Sequence, residues 1–227
     1  MLSKTKHMSK LRQYFLYLMG LPKTLYFNLK YLPLKQAIKL PVLVSHRVWL
    51  KSCKGSLSLG KVRPGIIKIG FGGVSIFDEG RSRSIWHVDG HVRLAGKADF
   101  GHGSKIDVSG EIQVGDNFEI TAESAIVCHQ KISFGNNVLI SWETLIMDCD
   151  FHKIHDQSGR WINADSAVSI GNDVWIGCRC LVLKGVNIAD KSVVAASSTV
   201  SRSIDTAQTI IAGSPARPVK ENISWEY

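Results

Sequence analysis

Between Ile170 and Val200, aliphatic residues recur at every sixth position of the chain. The series consists of Ile170, Ile176, Val182, Ile188, Val194 and Val200. A period of six fits neither an amphipathic helix nor an alternating strand. It is typical of a parallel β-helix, in which each six-residue unit forms one flat face and its aliphatic residue points inward. The pattern therefore predicts an all-β solenoid of hexapeptide repeats.

Upstream, the same period begins at Val88 and slips by two residues at regular intervals. Leu94 to Val114 and Val114 to Phe134 are each separated by 20 residues, which is three hexads plus two. Three faces per coil, with a two-residue bulge at one corner, explain this spacing. We therefore expect a three-sided coil rather than a flat sheet.

Residues 148–167 are polar and interrupt the repeat. A loop of this length without its own pattern is usually functional in a compact fold, and it must project from the coil. We divide the chain into a basic, partly helical N-terminal segment (1–41), a β-helix with this extruded loop (42–204), and a C-terminal capping tail (205–227).

Upstream of the regular repeat, the pattern is weaker. A helix is predicted over residues 8–19, ended by Gly20 to Pro22, and a short one over 35–40. Residues 42–59 are interpreted as the first irregular wall of the solenoid or as a strand that caps its core. Glycine-rich residues 62–87 do not keep the six-residue period.

Positive charge is concentrated near the N-terminus. Residues 1–77 contain 14 of the 28 Lys and Arg and none of the 19 Asp and Glu, within a formal net charge of +9. Leucines and aromatic residues interleave with these charges, which favours an anionic membrane surface over nucleic acid. A basic helix that packs on its own oligomer is an equally open interpretation.

The five cysteines form no CxxC pair and are interpreted as reduced thiols of a cytoplasmic protein. No apolar run reaches the length of a spanning helix, and no signal-peptide pattern is recognised. We therefore expect a cytoplasmic location, either free or at the inner face of the membrane.

The extruded loop contains His152, which follows the last regular hexad closely and should lie near the coil surface. An imidazole with an ordinary pKa near 6.5 is suited to accept a proton from a hydroxyl at neutral pH. Asp148, Asp150 or a backbone carbonyl could fix its tautomer. The residues alone leave these alternatives open.

Three segments in this order resemble the hexapeptide-repeat acyltransferases, left-handed β-helix enzymes of the galactoside, maltose and serine O-acetyltransferase type. They are Asp150-Phe151-His152, the segment from Ile170 to Gly177 that includes Val174-Trp175-Ile176-Gly177, and Gly213-Ser214-Pro215-Ala216-Arg217. Within this family the chain is most similar to bacterial enzymes that acetylate capsule, lipopolysaccharide or other glycans. The resemblance covers about residues 88–220.

The resemblance implies transfer of an acetyl group from acetyl-CoA to a sugar hydroxyl, without a metal and without an acyl-enzyme. His152 would be the general base, with Asp150 beside it, and the backbone N–H of Cys178 would stabilise the oxyanion. Trp175 would lie along the pantetheine arm. The remaining cofactor contacts implied by the family are Gly177, Ala196, Ser197, Ser201, Arg202 and Arg217.

The chain departs from the family at the acceptor. The segment from Thr121 to Glu123 stands where the galactoside and maltose enzymes have an asparagine that binds sugar. Glu123 and Asp148 are the predicted substrate-binding residues, although Glu123 could instead orient His152 of a neighbouring subunit. A carboxylate accepts hydrogen bonds but cannot donate as an amide does, so a different acceptor sugar is expected. The resemblance also implies a homotrimer with active sites between subunits.

Two other functions remain possible at this point. A metal-dependent hydratase of the carbonic anhydrase type on the same fold would need three histidine ligands, for which His129, His152 and His155 are the most plausible set. A non-catalytic β-helix scaffold would need none of these residues. The sequence leaves the acceptor and the length of the donor's acyl chain undetermined.

Overall fold

The computed structural model describes residues 10–226, which fold into a three-sided parallel β-helix. Two helices, α1 (Lys10–Tyr31) and α2 (Leu34–Ala37), precede the strands in this part of the chain. Strands are numbered in chain order, and successive strands of one coil lie in three different sheets, A, B and C.

Sheet A contains β1 (Val42–Val44), β4 (Ile67–Phe71), β7 (Ala98–His102), β10 (Phe118–Ala122), β13 (Leu139–Ile140), β16 (Trp175–Ile176), β19 (Val193–Val194), β21 (Ile210–Gly213) and β22 (Ala216–Lys220). Sheet B contains β2 (Trp49–Cys53), β5 (Ile85–Val88), β8 (Lys105–Val108), β11 (Ala125–Cys128), β14 (Leu145–Met147), β17 (Leu181–Val182) and β20 (Thr199–Val200). Sheet C contains β3 (Ser56–Leu59), β6 (His91–Leu94), β9 (Glu111–Val114), β12 (Lys131–Phe134), β15 (Val168–Ile170) and β18 (Asn187–Ile188).

The predicted repeat is confirmed by the strand register. Phe100 pairs with Ile120, and Ile120 pairs with Ile140, so successive inward residues of sheet A are stacked one coil apart. These side chains are buried and belong to one continuous hydrophobic core. Because each inward residue rests on its counterpart in the next coil, the period of the sequence becomes a column in the structure.

The two-residue bulge lies at the corner between sheets B and C. From Ile126 to Ile132 the chain takes six residues, whereas from Val182 to Val186 it takes four to turn the same corner. The polar stretch 148–167 leaves the coil at this same corner, between β14 and β15. The loop is therefore a large extension of an existing bulge.

Helix α1 covers the open edge of β1. The side chain of Asn28 donates to the carbonyl of Val42 at 2.7 Å and accepts from its N–H at 3.2 Å. Thr24 likewise accepts from the N–H of Val44 at 2.9 Å. These side chains replace the hydrogen bonds of a missing strand, which an uncovered sheet edge would otherwise expose.

The predicted end of this helix is wrong, because α1 continues through Gly20 and Pro22 to Tyr31. A proline inside a helix costs about 3 kcal/mol. The contacts of Thr24, Asn28 and the fully buried Phe27 with the coil lie beyond Pro22 and outweigh that cost. Residues 8 and 9 of the predicted helix lie outside the described residues.

The less regular N-terminal half still builds complete coils. Residues 42–59 form the first one, β1 to β3, and the glycine-rich stretch contributes β4 and β5 to the second. The period fails there because residues 72–84 are inserted between β4 and β5. The short helix predicted over 35–40 is present as α2, with four residues. At the other end of sheet A, β21 pairs with β19 in parallel and with β22 in antiparallel orientation.

Candidate active site

One outward column of sheet A aligns several residues that can contact a ligand. The strand register places Lys68 beside Asp99, Asp99 beside Glu119, Glu119 beside Leu139, and Leu139 beside Trp175. Neighbouring strands lie about 4.8 Å apart, so Trp175 stands about 14 Å from Asp99 along the column. A charged end and an aromatic end thus occupy the same face.

A cavity of about 490 Å³ lies over the charged end of this column. Its walls come from α1, from residues 71–76 and from the outer surface of sheet A, and Trp142 closes one side. The volume is within the range of small-molecule sites, which combine apolar walls with a few polar groups. The polar residues of the lining include Gln13, Tyr17, Lys68, Asp99, Glu119 and Thr121.

Two polar atoms beside the cavity are buried and have no hydrogen-bond partner within the described part of the chain. They are Oδ1 of Asp99 and Oγ1 of Thr121. Oδ1 of Asp99 nevertheless forms an ion pair with Nζ of Lys68 at 3.9 Å. Burial raises the pKa of Asp99, an effect opposed by Lys68 and Lys97 and reinforced by Glu119. A buried hydroxyl without a partner, such as that of Thr121, costs free energy and is satisfied when a ligand supplies one.

The corner between sheets A and B continues this surface toward the predicted oxyanion donor. Trp142, Cys178 and Ala196 occupy equivalent positions on consecutive coils, since the preceding strands are in register. Among residues 10–226, no group accepts a hydrogen bond from the N–H of any of the three. The N–H of Cys178 is therefore available to a ligand, as the prediction requires, and the turn geometry itself provides it.

Trp175 is 38% exposed and lies at the outer surface of sheet A. Its indole N–H donates to Oγ of Ser141 at 3.1 Å, and its ring lies 6.0 Å from that of Trp225, centre to centre. Trp225 in turn donates to the carbonyl of Asp173 at 2.6 Å. The C-terminal segment thus packs beside the aromatic end of the column.

Among the small residues predicted to line the cofactor groove, Gly177 differs from its neighbours. Ala196 and Ser197 are exposed, whereas Gly177 is buried and an added Cβ would clash with the backbone of Ala196. The N–H of Gly177 donates to Val194 and its carbonyl accepts from Thr144. Coil stacking thus requires glycine there, and its contact with the cofactor stays a prediction.

Glu123 lies at the corner between sheets A and B, near the cavity. It accepts hydrogen bonds from Ser82 and, at 3.2 Å, from Lys105. Burial alone would raise its pKa, but these hydrogen bonds lower the pKa of Glu123 overall. The carboxylate is thus ionised and already has partners within its own chain.

The loop that carries His152 is held by Asn163. Its side-chain amide donates to the carbonyl of His152 at 2.8 Å, and its side-chain oxygen accepts from the N–H of Ile154 at 2.6 Å. The same oxygen accepts from the indole N–H of Trp161 at 2.8 Å. The imidazole of His152 is exposed, and no residue of the described chain hydrogen-bonds to it. The backbone is fixed while the side chain remains available.

Asp150 does not contact the imidazole of His152. Its Oδ2 binds Lys184 at 2.5 Å and Asn163 at 2.8 Å. The hydrogen bond from Lys184 is the main reason that the pKa of Asp150 is lowered. Lys184 also donates to the carbonyl of Asn163 at 2.6 Å, so it ties both sides of the loop base to the coil.

The prediction that Asp148 binds substrate is corrected by its burial. Its side chain is fully buried and accepts from the backbone N–H groups of His129, Gln130 and Lys131 at 2.7 to 2.9 Å. These residues form the corner bulge of the preceding coil. Asp148 therefore stabilises the base of the loop, and a substrate cannot reach it.

The predicted site residues fall on two different corners of the prism. Cys178, Ala196, Ser197 and Glu123 lie between sheets A and B. His152, Asp150, Ser201 and Arg202 lie between sheets B and C. Arg217 lies on β22 at the edge of sheet A. Within one chain, the general base predicted from the sequence is therefore separated from the predicted oxyanion donor by the width of sheet B.

The histidines of the alternative zinc site are not gathered into a ligand set. His129 packs edge-on against Phe151 and lies 3.7 Å from Asp165, whereas the backbone of His155 bridges to Trp161. Across the described part of the chain, no three His, Cys, Asp or Glu side chains are arranged to hold a metal ion.

The residues whose role depends on contacts between distant segments could not be identified from the sequence. Nothing in the repeat pattern marks Asn163 or Lys184 as the support of His152. Asp99 and Thr121 occupy ordinary outward positions of the repeat, and only the packing of α1 and residues 72–76 over them creates a cavity. In the sequence, Asp99 is a single charged residue between apolar neighbours. This pattern is common on half-exposed strands, so it does not indicate a site.

No protein-family model matches the chain. It is 32% identical over 111 residues to the galactoside O-acetyltransferase of Escherichia coli K12, covering 48% of this chain and 54% of that enzyme. The chain thus spans about half the length of that relative. It is 31% identical over 153 residues to the putative lipopolysaccharide biosynthesis O-acetyl transferase WbbJ of the same organism, covering 61% of this chain and 78% of that protein.

Among solved structures, the chain is similar to the polySia specific acetyltransferase NeuO, with a TM-score of 0.52 and 20% identity over 82% of this chain and 79% of that one. This similarity concerns the fold, and the predicted left-handed parallel β-helix of hexapeptide repeats is confirmed. The match to most of WbbJ shows that the chain belongs to the hexapeptide-repeat acetyltransferase family.

Proposed function

We propose that the protein transfers an acetyl group from acetyl-CoA to a hydroxyl of a sugar in the synthesis of a cell-surface glycan. One observation carries this proposal beyond family membership. The cavity beside sheet A ends at Trp142, one coil before Cys178, whose backbone N–H has no acceptor among residues 10–226. An acceptor in the cavity would thus lie next to a donor suited to a developing oxyanion.

In the proposed reaction, the imidazole of His152 accepts the proton of the acceptor hydroxyl as its oxygen attacks the thioester carbonyl. The N–H of Cys178 stabilises the negative charge on the former carbonyl oxygen. When the tetrahedral intermediate collapses, the carbon–sulfur bond breaks, and the imidazolium protonates the departing thiolate. Because both substrates are held together, proximity supplies much of the rate without a covalent enzyme intermediate.

The separation of His152 from Cys178 supports a site shared between subunits. His152 projects from the corner between sheets B and C, and Cys178 lies at the corner between sheets A and B. We infer a homotrimer in which the loop of one subunit reaches sheet A of the next. Closed threefold assembly gives three equivalent sites of this kind, each using one corner from either neighbour.

Acetyl-CoA would lie along the groove between these subunits. Trp175, Ala196 and Ser197 are exposed on one side of it, and Ser201 and Arg202 are exposed at the other corner. Exposed Arg202 and Arg217 would attract the phosphates of the coenzyme. Of the predicted cofactor contacts, all but the buried Gly177 are exposed in the single chain, which supports the proposal.

Release of free thiol from acetyl-CoA, measured across a panel of sugars, tests the proposed activity. His152→Ala should lower the sugar-dependent rate about 100-fold or more, as expected for loss of a general base. His155→Ala, in the same loop, is the matched control and should retain most of the activity. Equal rates for wild type and His152→Ala would remove His152 from the mechanism.

The outer face of α1 supports a membrane-surface location. Within residues 10–226, no helix is both long and apolar enough to cross a membrane. Yet large apolar side chains are exposed along α1, opposite the face that binds the coil. They are Tyr14, Phe15, Leu18, Met19, Leu21, Leu25, Tyr26 and Leu29. With 14 basic and no acidic residues in positions 1–77, this face suits an anionic lipid surface.

We therefore propose peripheral binding to the cytoplasmic face of the membrane through α1. The protein should sediment together with vesicles that contain phosphatidylglycerol at low salt and should stay in the supernatant at high salt. Replacing Leu18 and Leu25 by glutamate should abolish this binding. If that variant still binds the vesicles, the exposed face of α1 is not the membrane-binding site. If the wild type does not bind anionic vesicles and the substitution changes only its oligomeric state, the exposed face is instead a contact between copies of the chain.

A further inference from the structure

The turn that contains Cys178 is held by a hydroxyl from the preceding coil. Its four residues run from Gly177 to Cys180, and its second central residue, Arg179, has a φ of 59°, as a type II turn requires. We propose that Thr144 is a positioning residue, which fixes the direction of the N–H of Cys178. This inference rests on the proposed function, since it concerns the oxyanion donor of the same reaction.

The hydroxyl of Thr144 bridges the two ends of the turn. In an ordinary β-turn, the N–H of the fourth residue donates directly to the carbonyl of the first. Here the N–H of Cys180 donates to Oγ1 of Thr144 at 3.2 Å, and this hydroxyl donates to the carbonyl of Gly177 at 3.0 Å. The side chain of Thr144 thus takes the place of the direct bond and sets the width of the turn.

The hydrogen bond to Gly177 also determines where the N–H of Cys178 points. The carbonyl of Gly177 and the N–H of Cys178 belong to one planar peptide group, which is trans. In a trans peptide the two groups point in opposite directions. Because the carbonyl points to Thr144, which is only 2% exposed, the N–H points away from this buried side chain. A side chain that holds the carbonyl therefore also aims the N–H.

The bridge is rigid because of its surroundings. Leu145 pairs with Leu181, so Thr144 lies directly opposite Cys180 in the neighbouring coil. A β-branched side chain has few rotamers. Rotation of the hydroxyl away from the turn would also deprive a buried carbonyl and a buried N–H of these partners, which costs free energy. The geometry of the turn is thus fixed before any substrate binds.

The same kind of bridge occurs in the neighbouring coils. In the preceding coil, Oγ of Ser124 accepts from the N–H of Thr144 at 3.0 Å and donates to the carbonyl of Ser141 at 2.9 Å. In the following coil, the thiol of Cys180 donates to the carbonyl of Ala195 at 3.2 Å. The bridge therefore belongs to this corner of the coil, and Thr144 differs in holding the turn of the proposed oxyanion donor.

Substitutions of Thr144 separate its hydroxyl from its volume. Thr144→Val removes the hydroxyl but keeps the β-branched shape. At saturating acetyl-CoA and sugar, kcat for thiol release should fall about 10- to 100-fold, and KM for acetyl-CoA should stay unchanged. Thr144→Ser retains the hydroxyl and should keep kcat within about threefold of the wild type. Thr144→Cys introduces the thiol that the fold accommodates at Cys180, and as a weaker donor it should give an intermediate kcat.

Ser124→Ala is the matched control, because it removes the bridge of the preceding turn. It should lower the melting temperature about as much as Thr144→Val but retain the wild-type kcat. Labelling the five cysteines with 15N adds a structural measurement. The amide signals of Cys178 and Cys180 should shift in Thr144→Val and stay near their wild-type positions in Thr144→Ser.

A wild-type kcat in Thr144→Val overturns this inference while acetyl transfer stands. Equal losses of kcat in Thr144→Val and Ser124→Ala overturn it as well, since they would indicate a general effect of stability. If Thr144→Val does not fold, equal kcat in Thr144→Cys, Thr144→Ser and the wild type overturns the inference instead. Failure of the proposed function gives a different result, since the wild type would then release no thiol with any sugar.

Discussion

The side-chain amide of Asn163 donates to the backbone carbonyl of His152 at 2.8 Å, across a turn of 11 residues. Asn163 also binds Asp150 and Lys184, which links it to the coil. The position of His152 relative to the coil is thus fixed by residues that do not contact its imidazole. Asn163 is thus a positioning residue of the proposed mechanism.

Asn163→Ala should lower kcat for acetyl transfer by about 10- to 100-fold, because small displacements of a reacting group have effects of this size. KM for acetyl-CoA should change little, and the free energy of unfolding should fall by about 1 kcal/mol or less for a partly exposed loop. Steady-state kinetics and urea unfolding measure both. Ser158→Ala, which alters only the hydrogen bonds of Asp156 in the same loop, serves as the control. Equal losses of kcat in the two variants would show that any change in the loop lowers activity, which would contradict a specific positioning role of Asn163.

The free N–H of Cys178 can be removed by a single substitution that suits its turn. Cys178 and Arg179 are the central residues of a turn, and Arg179 has a φ of 59°. Proline is well tolerated at the first central position of such turns. Cys178→Pro should lower kcat about 100- to 1,000-fold, whereas Cys178→Ala retains the N–H and should remain active. Equal activity of the two variants would contradict the oxyanion role.

The contact of Asn28 with β1 should contribute measurably to stability. Asn28→Ala would leave the buried N–H and carbonyl of Val42 without partners, which should cost about 2 to 4 kcal/mol. Leu29→Ala, on the exposed side of the same helix, should change stability by less than about 0.5 kcal/mol. Chemical unfolding monitored by tryptophan fluorescence compares the two. A small effect of Asn28→Ala would mean that α1 does not cover the edge of the sheet in solution.

Asp99 should make the stability of the protein depend on pH in a defined direction. Burial raises its pKa above the ordinary value of 3.8, with Lys68 and Lys97 opposing and Glu119 reinforcing the shift. An acid with a raised pKa in the folded state costs stability as the pH rises through that pKa. Asp99→Asn should therefore raise the melting temperature at pH 7 by about 1 to 4 °C. Near pH 3 the gain should vanish. A gain that persists unchanged at pH 3 would indicate another cause.

The coil could be predicted from the sequence because each of its repeats follows a local rule. One inward aliphatic every six residues is enough to define the columns, and the slip of two residues correctly indicated a corner bulge. The end of α1 could not be predicted in this way. Gly20 and Pro22 are strong local signals for the end of a helix. The helix nevertheless continues, because Thr24 and Asn28 bind a strand that follows about 15 residues later.

In the candidate site, too, some features follow from the local repeat, whereas others depend on contacts between distant segments. The position of His152 near the coil surface was expected from its place after the last regular hexad. The catalytic roles of His152 and of the N–H of Cys178 stay predictions. The burial of Asp148 was not expected, because its partners belong to the preceding coil. The cavity over Asp99 depends on a helix about 80 residues earlier in the chain, so no pattern around Asp99 itself could indicate it.

The central claim is that each active site combines His152 of one subunit with Cys178 of another. Mixing subunits of His152→Ala with subunits of Cys178→Pro under conditions of subunit exchange tests it most directly. Each variant alone should be nearly inactive. Random mixing in equal amounts should restore about one quarter of the wild-type thiol-release activity, because one pair of neighbours in four then carries both intact groups. No recovery in trimers shown to be mixed would contradict a site shared between subunits.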